Sequence, residues 1–140
     1  MIPAVVTVLL AAVLGAAGWM LRASLLVVTV HGPSMRPTYD QGDRLLVRRT
    51  GLGRIRRGDV VVFATAGSAD PQDPTGGLLV KRAVAVPGDP VPPDIPVDEQ
   101  VVPAGRLIVL GDNPGRSHDS RSLGYVVADA LVGVVVRPIR

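Results

Sequence analysis

Hydrophobic and polar positions change period sharply near residue 22. From Met1 to Leu21 no side chain carries a charge, and Arg22 closes the run. About 20 apolar residues suffice to cross a ~30 Å hydrocarbon layer as a helix. Trp19 lies near the end of the run, where an amphipathic ring suits a membrane interface. Residues 1–22 are therefore predicted to form one transmembrane anchor, and residues 23–140 a separate body. A cleaved secretory signal is the competing reading. It calls for a basic leading region, where only the terminal amine is available, and for a clear Ala-x-Ala site, which the alanine-rich text lacks. Beyond residue 22 the text is made of short Val/Leu runs broken by Gly, Pro and Asp. That punctuation predicts strands at Leu25–Val30, Asp43–Arg49, Asp59–Thr65, Leu78–Val86, Arg106–Leu110 and Ala130–Val136, with Tyr125–Ala128 as a further short strand or a helical turn. Residues 66–77 read as a polar loop. Residues 87–103 contain six prolines and read as an irregular crossover. No helix beyond a turn or two is expected outside the anchor. The body is mainly β, a rolled sheet or barrel, because closure removes exposed strand edges.

Composition narrows the chemistry. There is no cysteine, which excludes thiol nucleophiles, thiolate metal sites and disulfides. Two histidines, His31 and His118, are too few for a metal site, so no metal and no cofactor is expected. Aromatic residues make up 3% of the chain, too few for base-stacking surfaces, and nucleic acid is not an expected partner. The net charge of +3 comes from 14 arginines and one lysine. Arg48, Arg49, Arg54, Arg56 and Arg57 cluster, either as a solvated loop or as a face for phosphate or lipid headgroups.

Three stretches carry candidate chemistry. In VHGPSMRPTYDQGD, residues 30–43, Gly32 and Pro33 set a turn before Ser34, and Pro37 stops a helix after it. Ser34 is either a turn serine or a nucleophile. Lys81, the single lysine, sits inside the apolar run LLVKRAVAV. Alternation places it on one face with Leu79, Ala83 and Ala85, and places Arg82 on the other. Burial among such residues lowers an amine's pKa until it is neutral, and a neutral amine can take a proton from a serine hydroxyl. Arginine stays protonated and cannot do so. The alternative is a lysine that snorkels at a strand edge. In GDNPGRSHDSRSLG, residues 111–124, Asp112, Asp119 and Arg121 are expected to form an ionic frame that Arg82 joins. Ser117 is expected to bond the Lys81 amine and fix its direction. A Ser34–His118–Asp119 triad is a rival, but it leaves Lys81 idle and asks adjacent side chains to face one another.

GPSMRPT followed by GD, then VKRAVAVPGD, then GDNPGRSHDSR resemble, in this order, the three signature boxes of the type I signal peptidases. These are membrane-bound serine proteases, related in fold to LexA-type autoproteases. The resemblance covers roughly residues 28–136. It implies Ser34 as nucleophile, Lys81 as general base, Ser117 as the residue that orients the lysine, and Asp112, Asp119, Arg82 and Arg121 as the frame of the active-site loop. It implies the Ser34 amide as an oxyanion donor. Where some relatives have a serine as second donor, this chain has Gly32. It also implies Val28 and Val30, with Met35, as walls of a pocket for small side chains.

Only 29 residues separate Lys81 from Gly111, so the resemblance is to a minimal catalytic core. GDNPG stands where the family often has GDNR, with Arg116 as a substitute for the missing arginine. GPSM with GDNP is also similar to a small branch that matures nickel-type superoxide dismutase. The implied partners are a preprotein or leader peptide and membrane lipid. The resemblance implies a body outside the cytoplasm, whereas Arg22, by the positive-inside rule, points to a cytoplasmic one; both remain open. Two further readings stand beside these. One is a non-catalytic membrane-anchored β module that binds peptides. The other is a self-cleaving switch with Ala66–Gly67 as its scissile bond.

Overall fold

The structure is a computed structural model that describes residues 2–65 and 77–140. Most of the predicted polar loop, including Ala66–Gly67, lies outside the described residues. Helix α1 spans Ile2–Ala23. Its stretch Ala4–Ala23 has mean hydropathy 2.2, and none of it is buried against the rest of the chain. An unpartnered apolar helix of 20 residues fits a single-pass membrane anchor. The Ser24 hydroxyl donates to the Leu21 carbonyl and, with Ser24 N–H bonded back to Met20, finishes the helix.

The body is one antiparallel sheet. Its strands are β1 (Leu25–Thr29), β2 (Arg44–Arg49), β3 (Val60–Ala64), β4 (Leu78–Ala85), β5 (Arg106–Leu110), β6 (Val126–Val127) and β7 (Leu131–Ile139). They lie in the order β1-β2-β7-β3-β4-β5-β6. Each predicted strand is present within one or two residues, except that β7 runs three residues further. Tyr125–Ala128 resolves into β6 followed by a 3-10 turn at Ala128–Ala130. A one-turn helix α2 spans Ser120–Leu123. The sheet curls into a half-barrel but does not close: β1 and β6 remain its two edges. The expected closure is thus replaced by curling, with breaks in register between Leu46 and Val47, Val62 and Phe63, and Ala83 and Ala85. Such bulges bend and twist a strand without completing a barrel.

β3 shows why the run VVVFA is continuous rather than alternating. Val60 and Val62 join a cluster with Val28, Val30, Met35, Leu45, Val47 and Val80. Val61 and Phe63 join another with Ile55, Ala83, Leu107, Val109 and Val126. Both faces of this strand are therefore core, each valine or leucine contributing about 1.5–3 kcal/mol on burial. The proline-rich crossover packs Ile95 and Val102 on Ala85 and Ile108. A single bridge between Pro90 and Val101 is its only regular pairing among the described residues.

Candidate active site

The loop between β1 and β2 leaves and rejoins the sheet at a closed base. Val30 N–H bonds the Asp43 carbonyl and Gly42 N–H bonds the Val30 carbonyl, both at 2.8 Å. Gly32 sits at φ +77°, a left-handed conformation that a side chain at this position would oppose. Met35 follows Ser34 and is fully buried, so its side chain pins the loop into the core. Ser34 itself is half-buried. Its amide donates to no acceptor among the described residues.

Lys81 enters from the middle of β4, opposite Val61. Its side chain is 3% exposed, and its Nζ lies 2.8 Å from Ser34 Oγ and 3.1 Å from the Val80 carbonyl. The two residues are 47 positions apart in sequence. Burial pushes the amine below its usual pKa, and the negative charge of Asp119 opposes that shift. With the amine neutral, its lone pair faces the hydroxyl of Ser34 and can accept its proton.

Arg82 points from the other face of the strand. Its Nε and Nη2 donate to Asp112 at 2.8 and 2.7 Å, and its Nη1 donates to the Gly58 carbonyl. Asp112 also accepts from Thr38 Oγ1 at 2.5 Å. The Arg82 hydrogen bonds, more than any other contact, hold this carboxyl below the ordinary range. Thr38 belongs to the Ser34 loop, so Asp112 links that loop to β4. The second pair is separate. Asp119 is fully buried and accepts from Arg121 Nε and Nη2, from Ser117 Oγ at 2.6 Å and from the Gly111 amide at 2.9 Å. Burial alone would raise its carboxyl, but these donors outweigh it and hold the pKa well below the carboxylate range.

The structure brings Ser34 and Lys81 together, and it departs from expectation at three points, while the disfavoured triad does not form. The ionic frame is two independent pairs, Arg82–Asp112 and Arg121–Asp119, not one network. The Ser117 hydroxyl, expected on Lys81, donates its hydrogen bond to the Asp119 carboxylate, a stronger acceptor than an amine. Arg116 is exposed and forms none of the described ion pairs, so it does not substitute in the frame. His118 is exposed, with Nδ1 3.0 Å from Ser122 Oγ, while the Asp119 carboxylate is occupied elsewhere, and no Ser34–His118–Asp119 triad assembles. Val28, Val30 and Met35 lie in the core cluster and are at most 7% exposed. Among the described residues no group of three His, Asp or Glu side chains converges as metal ligands.

Three contributors were not singled out from sequence. Asn113 clamps the Ser34 loop, its N–H on the Ser34 carbonyl at 2.9 Å and its Nδ2 on the Pro33 carbonyl at 3.1 Å. Ser120 accepts from the Val109 amide and fixes α2 to β5. Gly111 lies where a Cβ would collide with the Ser117 side chain and stand 2.7 Å from the Ser34 carbonyl. The tripeptide GDN carried the signal: a glycine, a carboxylate and an amide in succession suit close backbone approach with dense hydrogen bonding.

Comparison with known proteins gives the family. The chain matches the family described as "Signal peptidase, peptidase S26" over residues 1–95 and 92–139. It is similar to Signal peptidase I of Leptolyngbya laminosa, 32% identical in an alignment 131 positions long that takes in 76% of this chain and 64% of that protein. It is similar to Signal peptidase IB of Staphylococcus aureus (strain COL), 29% identical in a gapped alignment 148 positions long that takes in 76% of this chain and 73% of that protein. The chain therefore spans less than two thirds of the length of the Leptolyngbya relative.

Proposed function

The chain belongs to the signal peptidase S26 family, and on that premise we propose that it is a membrane-anchored serine endopeptidase that removes N-terminal signal or leader peptides, with Ser34 as nucleophile and Lys81 as general base. The observation that carries this reading is the 2.8 Å approach of a buried amine, its pKa lowered by desolvation, to a half-buried serine hydroxyl.

The steps follow from the chemistry of the pair. An extended substrate adds as a strand alongside β1, an edge of the sheet whose outward main chain pairs with no other strand among the described residues. Small residues of the substrate sit at the end of β1 beside Ser34, while Val28, Val30 and Met35 support that surface from the core and do not line an open pocket. Neutral Lys81 accepts the Ser34 proton while Oγ attacks the scissile carbonyl. The Ser34 amide donates to the oxyanion, an interaction worth about 3–4 kcal/mol per donor in acyl transfer. The protonated lysine returns its proton to the leaving amine and then activates the water that releases the acyl enzyme. Asp112 and Asp119 hold the two segments that meet at the dyad.

Ser34→Ala and Lys81→Arg are expected to lower cleavage of an Ala-x-Ala leader peptide by at least roughly 10²–10⁴-fold while leaving the fold intact. Cleavage by the unaltered protein should rise with pH as Lys81 loses its proton. Substantial turnover by Lys81→Arg, or a rate flat from about pH 5 to 9, would remove the dyad. A serine-directed acylating probe separates this reading from a non-catalytic peptide-binding module: the enzyme forms an adduct at Ser34, the module forms none. A reporter active only outside the cytoplasm, fused to the C-terminus, separates general preprotein processing from maturation of one cytoplasmic substrate.

A further inference from the structure

The arginine cluster takes no part in the site. Arg48, Arg49, Arg54, Arg56 and Arg57 fall within ten positions, all are exposed, and none forms an ion pair among the described residues. Grouping like charges without counter-ions costs self-repulsion, which a bound anion offsets. Two observations indicate which anion. The first is location. Leu25, two residues past α1, is in register with Arg48, and the Arg49 amide bonds the Ser24 carbonyl at 2.7 Å. The basic end of β2 is therefore fastened to the point where the chain leaves its anchor. The second is shape. Arg48, Arg54 and Arg56 line one cavity of about 600 Å³, with Asp59 and the strand residues Val134, Val135 and Val136 also in its lining. Asp59 is already engaged by the Arg56 amide at 2.9 Å, and the lining keeps a net positive charge. The cavity sets three guanidinium groups beside valines, of which Val136 is half exposed. That combination suits a phosphodiester carrying glycerol and acyl carbons better than a free inorganic ion. No aromatic ring lines it, which disfavours stacked nucleotides.

We infer that this arginine-lined cavity is a docking site for anionic phospholipid headgroups that seats the body on the membrane beside its anchor. The inference rests on the reading of α1 as a membrane anchor.

The test uses the full chain, which has no cysteine, with Gly53→Cys carrying an environment-sensitive fluorophore at the rim of the cavity. A Cβ at Gly53 meets nothing within 4 Å. The labelled protein is placed in nanodiscs of phosphatidylcholine alone or with 30% phosphatidylglycerol. The expected result is a blue shift in the anionic discs only, reversed by 0.5 M salt and absent in Arg48→Gln/Arg54→Gln/Arg56→Gln. Inorganic phosphate added to phosphatidylcholine discs should not reproduce it. Equal signals in both lipids, a signal retained by the triple variant, or full reproduction by free phosphate overturns the proposal. Failure of the anchor reads differently. A chain that does not insert into either disc refutes the anchor, and vesicle sedimentation then decides the cavity. Sedimentation with anionic but not neutral vesicles, about fivefold weaker for each arginine removed, upholds it, and sedimentation with neither overturns it.

Discussion

Two aspartate–arginine pairs flank the contact between Ser34 and Lys81, and they differ in where their partners come from. Asp112 joins three distant segments: its own loop, Arg82 on β4 and Thr38 on the Ser34 loop. Asp119 draws every partner from its own stretch of chain, Gly111, Ser117 and Arg121. The first pair is a tie between elements and is partly open to solvent. The second is a local knot with a fully covered carboxylate, and its reach beyond the loop is electrostatic, through its charge on Lys81. The placement of the Ser34 loop against β4 and the charge acting on the Lys81 amine thus involve different carboxylates.

Neutralising the knot should have the largest effect. Asp119→Asn keeps one amide oxygen but takes the charge and the second acceptor oxygen from Arg121, Ser117 and the Gly111 amide, at a cost of about 3 kcal/mol by urea unfolding. It also removes the charge that holds protons on Lys81, so the residual cleavage rate should rise at lower pH than in the unaltered enzyme. Asp112→Asn should not move that profile. A shift in Asp112→Asn without one in Asp119→Asn would reverse the assignment. The stability difference has its own pH dependence. Asp119 has a lowered folded pKa, so its contribution is present above the unfolded value of about 3.9 and is lost as pH falls through the folded one. The gap between enzyme and Asp119→Asn should therefore narrow below about pH 4.

Gly111→Ala comes next. The added methyl meets Ser117 and the Ser34 carbonyl, so the two loops must part. A destabilisation of about 1–3 kcal/mol is expected in thermal unfolding, with a steep loss of cleavage. Normal activity in this variant would mean that the close approach of the loops is not required.

Asp112→Asn should cost less, about 1–2 kcal/mol and roughly tenfold in kcat, since an amide keeps part of the Thr38–Arg82 link. The smallest effect is expected from Lys81→Met, and it has the opposite sign. Burial lowers the folded pKa of Lys81, so the native state is penalised below that pKa, and stability rises as pH climbs towards the unfolded value. The inactive methionine variant should be more stable at neutral pH by on the order of 1 kcal/mol, and the gain should vanish near pH 10.5. A destabilised Lys81→Met at pH 7 would show that the lysine is held by interactions stronger than its desolvation.

Much of this was legible along the chain. The anchor could be read because charge is absent over twenty positions, and no element but a helix satisfies its own backbone in lipid. The strands of the body could be read because the Val/Leu runs end at Gly, Pro and Asp. Lys81 stood out as the one lysine, in a run where burial would discharge it. The partner of Ser117 was less legible, since a hydroxyl beside both an amine and a carboxylate chooses by geometry. The clamp by Asn113 was invisible for a related reason: its acceptors are carbonyls of Pro33 and Ser34, and any residue has a carbonyl.

The sequence by itself determined the helix, the strand content, the buried amine and the turn that presents the serine, because each depends on hydrophobicity and backbone preference within a few neighbours. Only the tertiary structure decided that β7 lies between β2 and β3, that the sheet curls without closing, and that two carboxylates divide the work around the dyad. The sheet order and the Asp112 tie depend on contacts across 30 to 95 positions, where the free energy comes from matching surfaces and pairing particular donors with particular acceptors, and local text carries no record of which distant group arrives.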